Sequence, residues 1–465
     1  MAGNRMVIIG GDAAGMSAAA KIRREQPQRE ILVLEKTAYT SYSACGIPYW
    51  LGGLVESAEN LVVRSPEVFR RDYDIDVRTG HEVREIDPVA QRLLIRGADG
   101  REFREAYDQL LIATGAHPFC PDLPGSGASG IFGLSTLASG ERLAEFLEGE
   151  HPRRAVVVGG GYIGLEMAEA LVRRKLEVAL IDRNSEVMNT LDPEMGALVS
   201  AALREVGVAL YLGEELREFR VSGSRVTGVV TSQRELPADV VILGMGVRPN
   251  AALAAAAGLE LGVKGAIKVD GRMQTGDPNI WAAGDCVASV HRLTGKPTYI
   301  ALGTVANKQG VVAGINLAGG QAWFPGVMGT AVSKICRVEV ARTGLQEKEL
   351  QALGIGFITA KIEAQTRAHY FPGAGPMTVK LLAEAGSGRL LGAQIVGEEG
   401  AAKRIDIVAT ALTAGMTAAD LVDLDLSYAP PYSPVWDPVQ TAARQLVGQR
   451  GESGQGPSAG RSAGG

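Results

Sequence analysis

Cysteine is scarce in this 465-residue chain, and its four cysteines lie far apart. Cys45, Cys120, Cys286 and Cys336 have neither the spacing of metal ligands nor that of a redox pair. The pattern predicts no metal site and no framework of structural disulfides. A lone reactive thiol would cycle through a bond to a small thiol or through a sulfenic acid.

The chain also lacks a strong charge imbalance and a long apolar segment. Its formal net charge is -5, with 21% charged residues, which argues against nucleic acid or an anionic membrane surface as a partner. No stretch approaches the ~20 apolar residues of a membrane span, and the first strand begins near Met6 without the apolar core of a signal peptide. We expect a cytoplasmic protein with a small-molecule substrate, no nucleic acid partner and no membrane partner.

Residues 6–35 have the pattern of a dinucleotide-binding strand, turn, helix and strand. The turn GGDAAG at 10–15 precedes an alanine-rich helix, whose N-terminus offers free backbone N–H groups to a diphosphate. Glu35 closes the second strand, where an acidic side chain can bind ribose hydroxyls. Asp12 replaces the middle glycine of the G-x-G-x-x-G pattern, so this turn alone is an imperfect match.

Residues 155–182 repeat the unit without that defect. The turn GGGYIG at 159–164 follows an apolar strand, and a second strand ends at Asp182. Two dinucleotides are therefore expected. Further apolar strands run into small-residue turns at 110–116, 240–249 and 279–285, in the order expected for duplicated doubly wound α/β domains.

This order of motifs resembles that of the pyridine nucleotide-disulfide oxidoreductases over nearly the whole chain. The resemblance implies an α/β fold with two doubly wound dinucleotide-binding domains, one for FAD and one for NAD(P)H, and an α+β C-terminal dimerisation domain. It implies a split FAD-binding domain at 1–118 and 253–325, an NAD(P)H-binding domain at 119–252, and an interface domain at 326–450 through which a homodimer forms. The Gly- and Ser-rich residues 451–465 are expected to form a disordered tail.

The resemblance also assigns cofactor positions. Those implied for FAD are Gly10, Ala13, Gly15, Glu35, Lys36, Thr114, Gly115 and Asp285. Those implied for NADH or NADPH are Gly159, Gly161, Tyr162, Ile163, Gly164, Glu166, Asp182 and Arg183. Asp182 can accept hydrogen bonds from a ribose and repels a 2′-phosphate, whereas Arg183 attracts one, so a modest preference for NADH is expected.

The run Cys45-Gly46-Ile47-Pro48-Tyr49 resembles the single-cysteine branch of this family. That branch contains coenzyme A-disulfide reductases, NADH oxidases, NADH peroxidases and persulfide reductases. Peroxidases and many oxidases carry a histidine at the position of Ala13, and alanine cannot assist peroxide or oxygen chemistry. The motif therefore favours thiol exchange at Cys45.

One polar stripe of the first helix contains Ser17, Lys21 and Arg24. Such a stripe can be a plain solvated face. In coenzyme A-disulfide reductases, however, the matching positions contact coenzyme A, and Ser41 matches a further contact. The planar guanidinium of Arg24 suits the phosphates of the nucleotide.

The C-terminal part of the chain adds two tyrosines. Tyr370 and Tyr428 match tyrosines that reach across the dimer to the partner's cysteine and flavin, although tyrosines near prolines are also common packing residues. Together with Cys45 they form the catalytic set that the resemblance implies.

The expected reaction passes a hydride from NAD(P)H through FAD to a mixed disulfide between Cys45 and coenzyme A. Two alternatives stay open on the same scaffold, an NADH oxidase and a persulfide or polysulfide reductase. An electron-transfer reductase for a protein partner is a third alternative, against which the presence of Cys45 argues.

Overall fold

The structure is a computed structural model that describes residues 5–454. The α-helices within that range are α1 (Ala13–Glu25), α2 (Ile47–Leu51), α3 (Pro66–Tyr73), α4 (Leu137–Glu150), α5 (Tyr162–Arg173), α6 (Pro193–Glu205), α7 (Ala252–Ala256), α8 (Gly303–Leu317), α9 (Glu347–Leu353), α10 (Ile405–Ala414), α11 (Ala418–Val422) and α12 (Pro438–Gly454).

The strands occur both as single strands between helices and in consecutive runs, such as the seven between α3 and α4. They are β1 (Arg5–Ile9), β2 (Glu30–Glu35), β3 (Asp76–Thr79), β4 (Glu82–Asp87), β5 (Arg92–Arg96), β6 (Glu102–Ala106), β7 (Gln109–Ile112), β8 (Ala116–Pro118), β9 (Ile131–Gly133), β10 (Arg154–Val158), β11 (Glu177–Asp182), β12 (Ala209–Leu212), β13 (Leu216–Ser222), β14 (Arg225–Thr231), β15 (Glu235–Pro237), β16 (Val240–Leu243), β17 (Val247–Pro249), β18 (Ile280–Ala282), β19 (Ser289–Val290), β20 (Pro297–Thr298), β21 (Ala331–Ile335), β22 (Val338–Gly344), β23 (Phe357–Gln365), β24 (Pro376–Glu384) and β25 (Leu390–Gly397).

The chain forms two compact units. The first runs up to Arg183 and resumes at Glu214–Val327, and the second combines Asn184–Gly213 with the chain from Met328 onward.

The first unit contains the duplicated architecture that the sequence predicts. One parallel sheet has the order β18-β7-β1-β2-β3, and β11-β10-β16-β9 form a second parallel arrangement. Their central strands are apolar on both faces because helices and loops cover both sides of each sheet. The predicted pair of doubly wound α/β arrangements is confirmed.

Each nucleotide-binding turn requires glycine for a steric reason. A Cβ on Gly10 would lie 2.1 Å from the Ala113 carbonyl oxygen, and one on Gly15 would lie 2.0 Å from the Gly10 carbonyl oxygen. In the second turn a Cβ on Gly159 would lie 2.5 Å from the Gly244 oxygen, and one on Gly164 would lie 1.9 Å from the Gly159 oxygen. Larger residues would push each helix away from its sheet.

The second unit is built on an antiparallel sheet in the order β21-β22-β25-β24-β23. Helix α10 packs against β25, and α12 packs against β23 and β24. Helix α12 continues to Gly454, four residues into the segment predicted as a tail, and the rest of that segment lies outside the described residues.

A buried ammonium group lies inside the second unit. Lys380 is 1% exposed, and its Nζ lies 2.8 Å from an Asp192 oxygen, 2.6 Å from a Glu347 oxygen and against the carboxylate of Glu194. Burial lowers the pKa of Lys380, but hydrogen bonds to these three carboxylates outweigh it and raise the pKa overall. Because a cation already satisfies them, the three carboxylates serve the fold.

No helix among residues 5–454 is both long and apolar enough to cross a bilayer.

Candidate active site

Cys45 lies in a short 3-10 helix, Ala44–Gly46, which leads directly into α2. Its side chain is exposed, and a Cβ on the next residue, Gly46, would lie 2.3 Å from the Leu61 Cδ2 atom, so a larger residue there would displace the buried Leu61 side chain. Pro48 in the first turn of α2 suits a helix start, where no backbone donor is lost. The thiol is therefore presented on a defined backbone.

The segment before Cys45 is attached to the first nucleotide-binding turn. The backbone N–H of Ser41 donates to the Gly11 carbonyl oxygen at 3.0 Å, and that of Tyr42 donates to the Asp12 carboxylate at 3.2 Å. Ser41 adopts a φ of 49°, a left-handed conformation that is uncommon for a residue with a side chain. These contacts fix the position of the thiol segment relative to the turn.

Three carboxylates act on the Cys45 thiol. Although solvent reaches Cys45, the protein packed around its sulfur raises the pKa of the thiol by desolvation, and the negative charges of Glu166, Asp285 and Asp12 raise it further. The structure thus brings together Glu166 from α5, Asp285 from the turn after β18 and Asp12 from the first turn. In the protein without its cofactors, this thiol is protonated at neutral pH.

The acidic residues of both dinucleotide units are held by their own turns. Glu35 accepts hydrogen bonds from the backbone N–H groups of Gly11 at 2.8 Å and Thr37 at 2.7 Å. Asp182 accepts one from the Gly160 N–H at 2.6 Å. Each carboxylate is thereby oriented at the edge of its turn, where a ribose would be bound.

The comparisons with known proteins agree with this arrangement. The family described as pyridine nucleotide-disulphide oxidoreductase matches residues 4–310, and its dimerisation domain matches residues 330–438. The chain belongs to this family. It is accordingly an NAD(P)H-dependent flavoprotein oxidoreductase with FAD as its cofactor.

Three relatives of this oxidoreductase show how far the similarity extends. An NAD(P)H sulfur oxidoreductase (CoA-dependent) from Pyrococcus abyssi is 40% identical over 95% of this chain and 98% of the relative. A coenzyme A disulfide reductase from Staphylococcus haemolyticus is 30% identical over 92% of this chain and 96% of its own length. A solved NAD-dependent persulfide reductase from A. fulgidus has a TM-score of 0.93 and 42% identity, covering 96% of this chain and 84% of that one.

The first turn of this oxidoreductase fits the diphosphate of FAD. Its backbone approaches Ala113 too closely for any side chain at Gly10, and it opens onto the N-terminus of α1. Ala13 begins α1, Lys36 is exposed beyond Glu35, and Asp285 is largely shielded from solvent, which raises the pKa of Asp285 to about 6.

Two residues of this site make structural hydrogen bonds that their sequence context does not indicate. Asp12 looks like a defect in the glycine pattern, yet its side chain holds Tyr42. Asn250 donates to the Thr114 carbonyl oxygen at 2.7 Å, and its backbone oxygen accepts from the Thr114 hydroxyl at 2.6 Å. A sequence signal for Asn250 exists, because residues 246–249 (GVRP) resemble residues 115–118 (GAHP). Strands β17 and β8 in these segments pair antiparallel, which brings Asn250 after β17 close to Thr114 before β8.

On the polar stripe of α1, two side chains bind other side chains of the protein and a third is exposed. Ser17 Oγ donates to Asn307 Oδ1 on α8 at 2.7 Å, and Lys21 forms an ion pair with Glu25 at 2.5 Å. Arg24 is exposed, and its Nε donates to the Ala20 carbonyl oxygen at 3.1 Å. Arg23, in contrast, binds the backbone of Pro27 and Asp74.

The residues predicted for the nicotinamide nucleotide follow the second turn. Tyr162, Ile163, Gly164 and Glu166 all lie in the first turns of α5, with Gly161 at its N-cap. Arg183 follows Asp182 and is exposed.

The second unit contains the predicted tyrosine pair. Tyr370 and Tyr428 are 66% and 47% exposed, and the neighbouring Tyr370 phenol raises the pKa of Tyr428.

The other cysteines differ from Cys45. Cys286 is fully buried, its thiol donates to the Ala283 carbonyl oxygen at 3.3 Å, and burial raises its pKa to about 11. Cys120 is exposed and Cys336 is half-buried, and no disulfide joins any of these four described cysteines.

Proposed function

We propose that this oxidoreductase reduces coenzyme A disulfide and that Cys45 is the thiol through which the reduction passes. The observation that carries the proposal is a free, exposed Cys45 whose segment is attached to the flavin turn by Ser41 and Tyr42. A single thiol in this position needs a second sulfur from a small molecule to form a disulfide.

The proposed reaction needs one nicotinamide nucleotide and one proton per disulfide. The Cys45 thiol loses its proton as its sulfur attacks one sulfur of coenzyme A disulfide, the S–S bond breaks, and one coenzyme A leaves and takes up a proton. When bound, FAD relays two electrons from NAD(P)H to sulfur. Those electrons, with the proton of the hydride and one from solvent, break the mixed disulfide, release the second coenzyme A as a thiol and restore the Cys45 thiol.

Recognition of coenzyme A is assigned to the stripe on α1. Arg24 is the member with an exposed guanidinium, and it offers a planar pair of donors to phosphate oxygens. Lys21 lies one turn and Ser17 two turns before it on the same face, and Ser41 lies on the Cys45 segment. The stripe therefore leads from the thiol segment toward the exposed end of α1.

Further roles follow for the remaining predicted residues. The turn at 159–164 with Asp182 and Arg183 would hold the nicotinamide nucleotide, with Glu166 near its reactive ring.

In a homodimer formed through the dimerisation domain, Tyr370 and Tyr428 would act as proton donors to the partner's active site. A reducing cytoplasm is the proposed setting, since it keeps coenzyme A as a thiol.

Reduction of a persulfide or polysulfide carried by coenzyme A is the second candidate. It is favoured by the names of the relatives at 40% and 42% identity, whereas the coenzyme A disulfide reductase is 30% identical. The same thiol and the same Arg24 contact would serve both substrates.

Mass spectrometry of the oxidised protein under non-reducing conditions tests the proposal. We expect a coenzyme A adduct on Cys45, and a sulfenic acid there instead would contradict thiol exchange.

Cys45→Ser should keep FAD and its reduction by NADH while losing disulfide turnover. Cys120→Ser, which changes another exposed thiol, should retain turnover. Comparing coenzyme A disulfide with coenzyme A persulfide as substrates separates the two candidates.

A further inference from the structure

Asp12 occupies an unusual place for a carboxylate. It lies in the FAD-binding turn between Gly10 and Gly15, at the N-cap of α1, where a diphosphate brings negative charge. An N-cap aspartate usually accepts hydrogen bonds from the first turn of its own helix. Here the side chain makes no such cap bond, and its Oδ1 atom accepts the Tyr42 N–H instead.

The groups that face Asp12 come from several elements and are predominantly acidic. Glu35 at the end of β2 and Asp285 after β18 both act on it electrostatically, and the Cys45 thiol and Tyr42 phenol respond to its charge. Burial raises the pKa of Asp12 to about 7, although the Tyr42 N–H favours the ionised form. A diphosphate would add further negative charge to this acidic neighbourhood.

We propose that Asp12 holds a proton in the FAD-loaded protein, so that FAD binding and proton uptake at this carboxyl are linked. Protonation leaves the Tyr42 contact intact, because a neutral carboxyl keeps one oxygen as an acceptor while the other becomes a donor. The protonated group can donate to an anionic oxygen, whereas the ionised group repels it. Asp12 thereby retains its hold on the Cys45 segment while accommodating the cofactor.

Linkage gives this proposal a measurable consequence. If FAD binds the protonated form, its dissociation constant rises with pH once free Asp12 ionises, approaching about tenfold per pH unit above about pH 8. Asp12→Asn supplies a neutral donor of nearly the same shape and removes that dependence. Asp12→Gly restores the glycine pattern of the turn and also removes the titrating group.

The test starts from the purified holoprotein, diluted to nanomolar concentration between pH 6 and pH 9, with released FAD followed by its fluorescence. We expect FAD release to increase steeply with pH in the unmodified protein and to be nearly constant from pH 7.5 to 9 in Asp12→Asn. A dissociation constant independent of pH in the unmodified protein would overturn the proposal whatever the variants do. An equal slope in Asp12→Asn, or in Asp12→Gly if the first variant fails to fold, would assign the proton to another group and also overturn it.

Discussion

The backbone N–H of Gly160 donates a 2.6 Å hydrogen bond to the carboxylate of Asp182. The first unit repeats this relationship between Gly11 and Glu35 at 2.8 Å. In both cases the second residue of the turn holds the acidic residue that ends the neighbouring strand. The bond fixes one carboxylate oxygen and leaves its charge at the edge of the turn, where it would meet the ribose of a bound dinucleotide.

Asp182→Ala is expected to narrow or reverse the preference for NADH over NADPH. The carboxylate repels a 2′-phosphate, and the exposed Arg183 beside it attracts one, so the unmodified enzyme should favour NADH only modestly in kcat/KM. Steady-state kinetics with both nucleotides measure the ratio. Arg183→Ala is the matched control and should increase the ratio of kcat/KM for NADH to kcat/KM for NADPH. A clear preference for NADPH in the unmodified enzyme would refute the assignment of Asp182 as the residue that selects NADH.

Glu166→Gln is expected to lower the pKa of Cys45 in the flavin-free protein. Burial and the charges of Glu166, Asp285 and Asp12 hold this pKa above the ordinary 9.0, so alkylation of Cys45 should be slow at neutral pH and accelerate above pH 9. Removing one negative charge should increase the rate at pH 8 by roughly two- to fivefold. Iodoacetamide labelling followed by mass spectrometry gives the rate at each pH.

Glu169→Gln is the control for that experiment. Glu169 lies one turn further along α5 and acts on Tyr49, but it is not among the charges that raise the Cys45 pKa. An equal acceleration in Glu166→Gln and Glu169→Gln would mean that general surface charge, and not the position of Glu166, controls the thiol.

Much of the fold is predictable because both glycine turns and their strands are local patterns. The turn at 159–164 requires glycine through contacts with a strand about 85 residues away, yet its own sequence already displays the motif. The roles of Asp12 and Asn250 were not predictable in this way. Each depends on a partner brought close only by folding, Tyr42 in one case and Thr114 in the other.

Charge networks between distant segments were equally hidden. Nothing near Lys380 in the sequence indicates a buried ammonium, since Asp192, Glu194 and Glu347 reach it from other parts of the chain. The sequence shows only that Lys380 interrupts the apolar residues of β24. The alternation of polar and apolar residues along a strand does not tell whether such a lysine is buried or exposed.

Lys380→Met should destabilise the second unit by about 3–5 kcal/mol at pH 7, because it leaves the buried Asp192 carboxylate without its cation. Glu194 has a pKa below its ordinary 4.5, so the stabilisation it supplies is present above that value and is lost as the pH falls through its folded pKa. The raised pKa of Lys380 keeps its contribution intact below pH 10.5. In Lys380→Met, burial and mutual repulsion raise the pKa values of the carboxylates left without a cation. The difference between the two proteins should therefore be largest at high pH and shrink as the pH falls and these carboxylates take up protons.

Chemical denaturation monitored by circular dichroism at several pH values measures that difference. Lys334→Met is the matched control, because Lys334 lies on β21 of the same sheet, is exposed and is not among the cations that lower the pKa of Glu194. A loss of stability in Lys334→Met as large as in Lys380→Met would show that the buried ion network is not the cause.

Arg24→Ala should raise the KM for coenzyme A disulfide by roughly tenfold while leaving the KM for NADH unchanged, because a charged hydrogen bond to phosphate is lost. Arg24 suits this test since its guanidinium is exposed, whereas Arg23 binds Pro27 and Asp74 and would report on folding. Arg101→Ala removes another exposed arginine, whose partner is Asp99, and should change neither constant. Small disulfides without a nucleotide should be reduced equally by Arg24→Ala and the unmodified enzyme. If both KM values rise together in Arg24→Ala, the polar stripe on α1 is a solvated face and coenzyme A binds elsewhere.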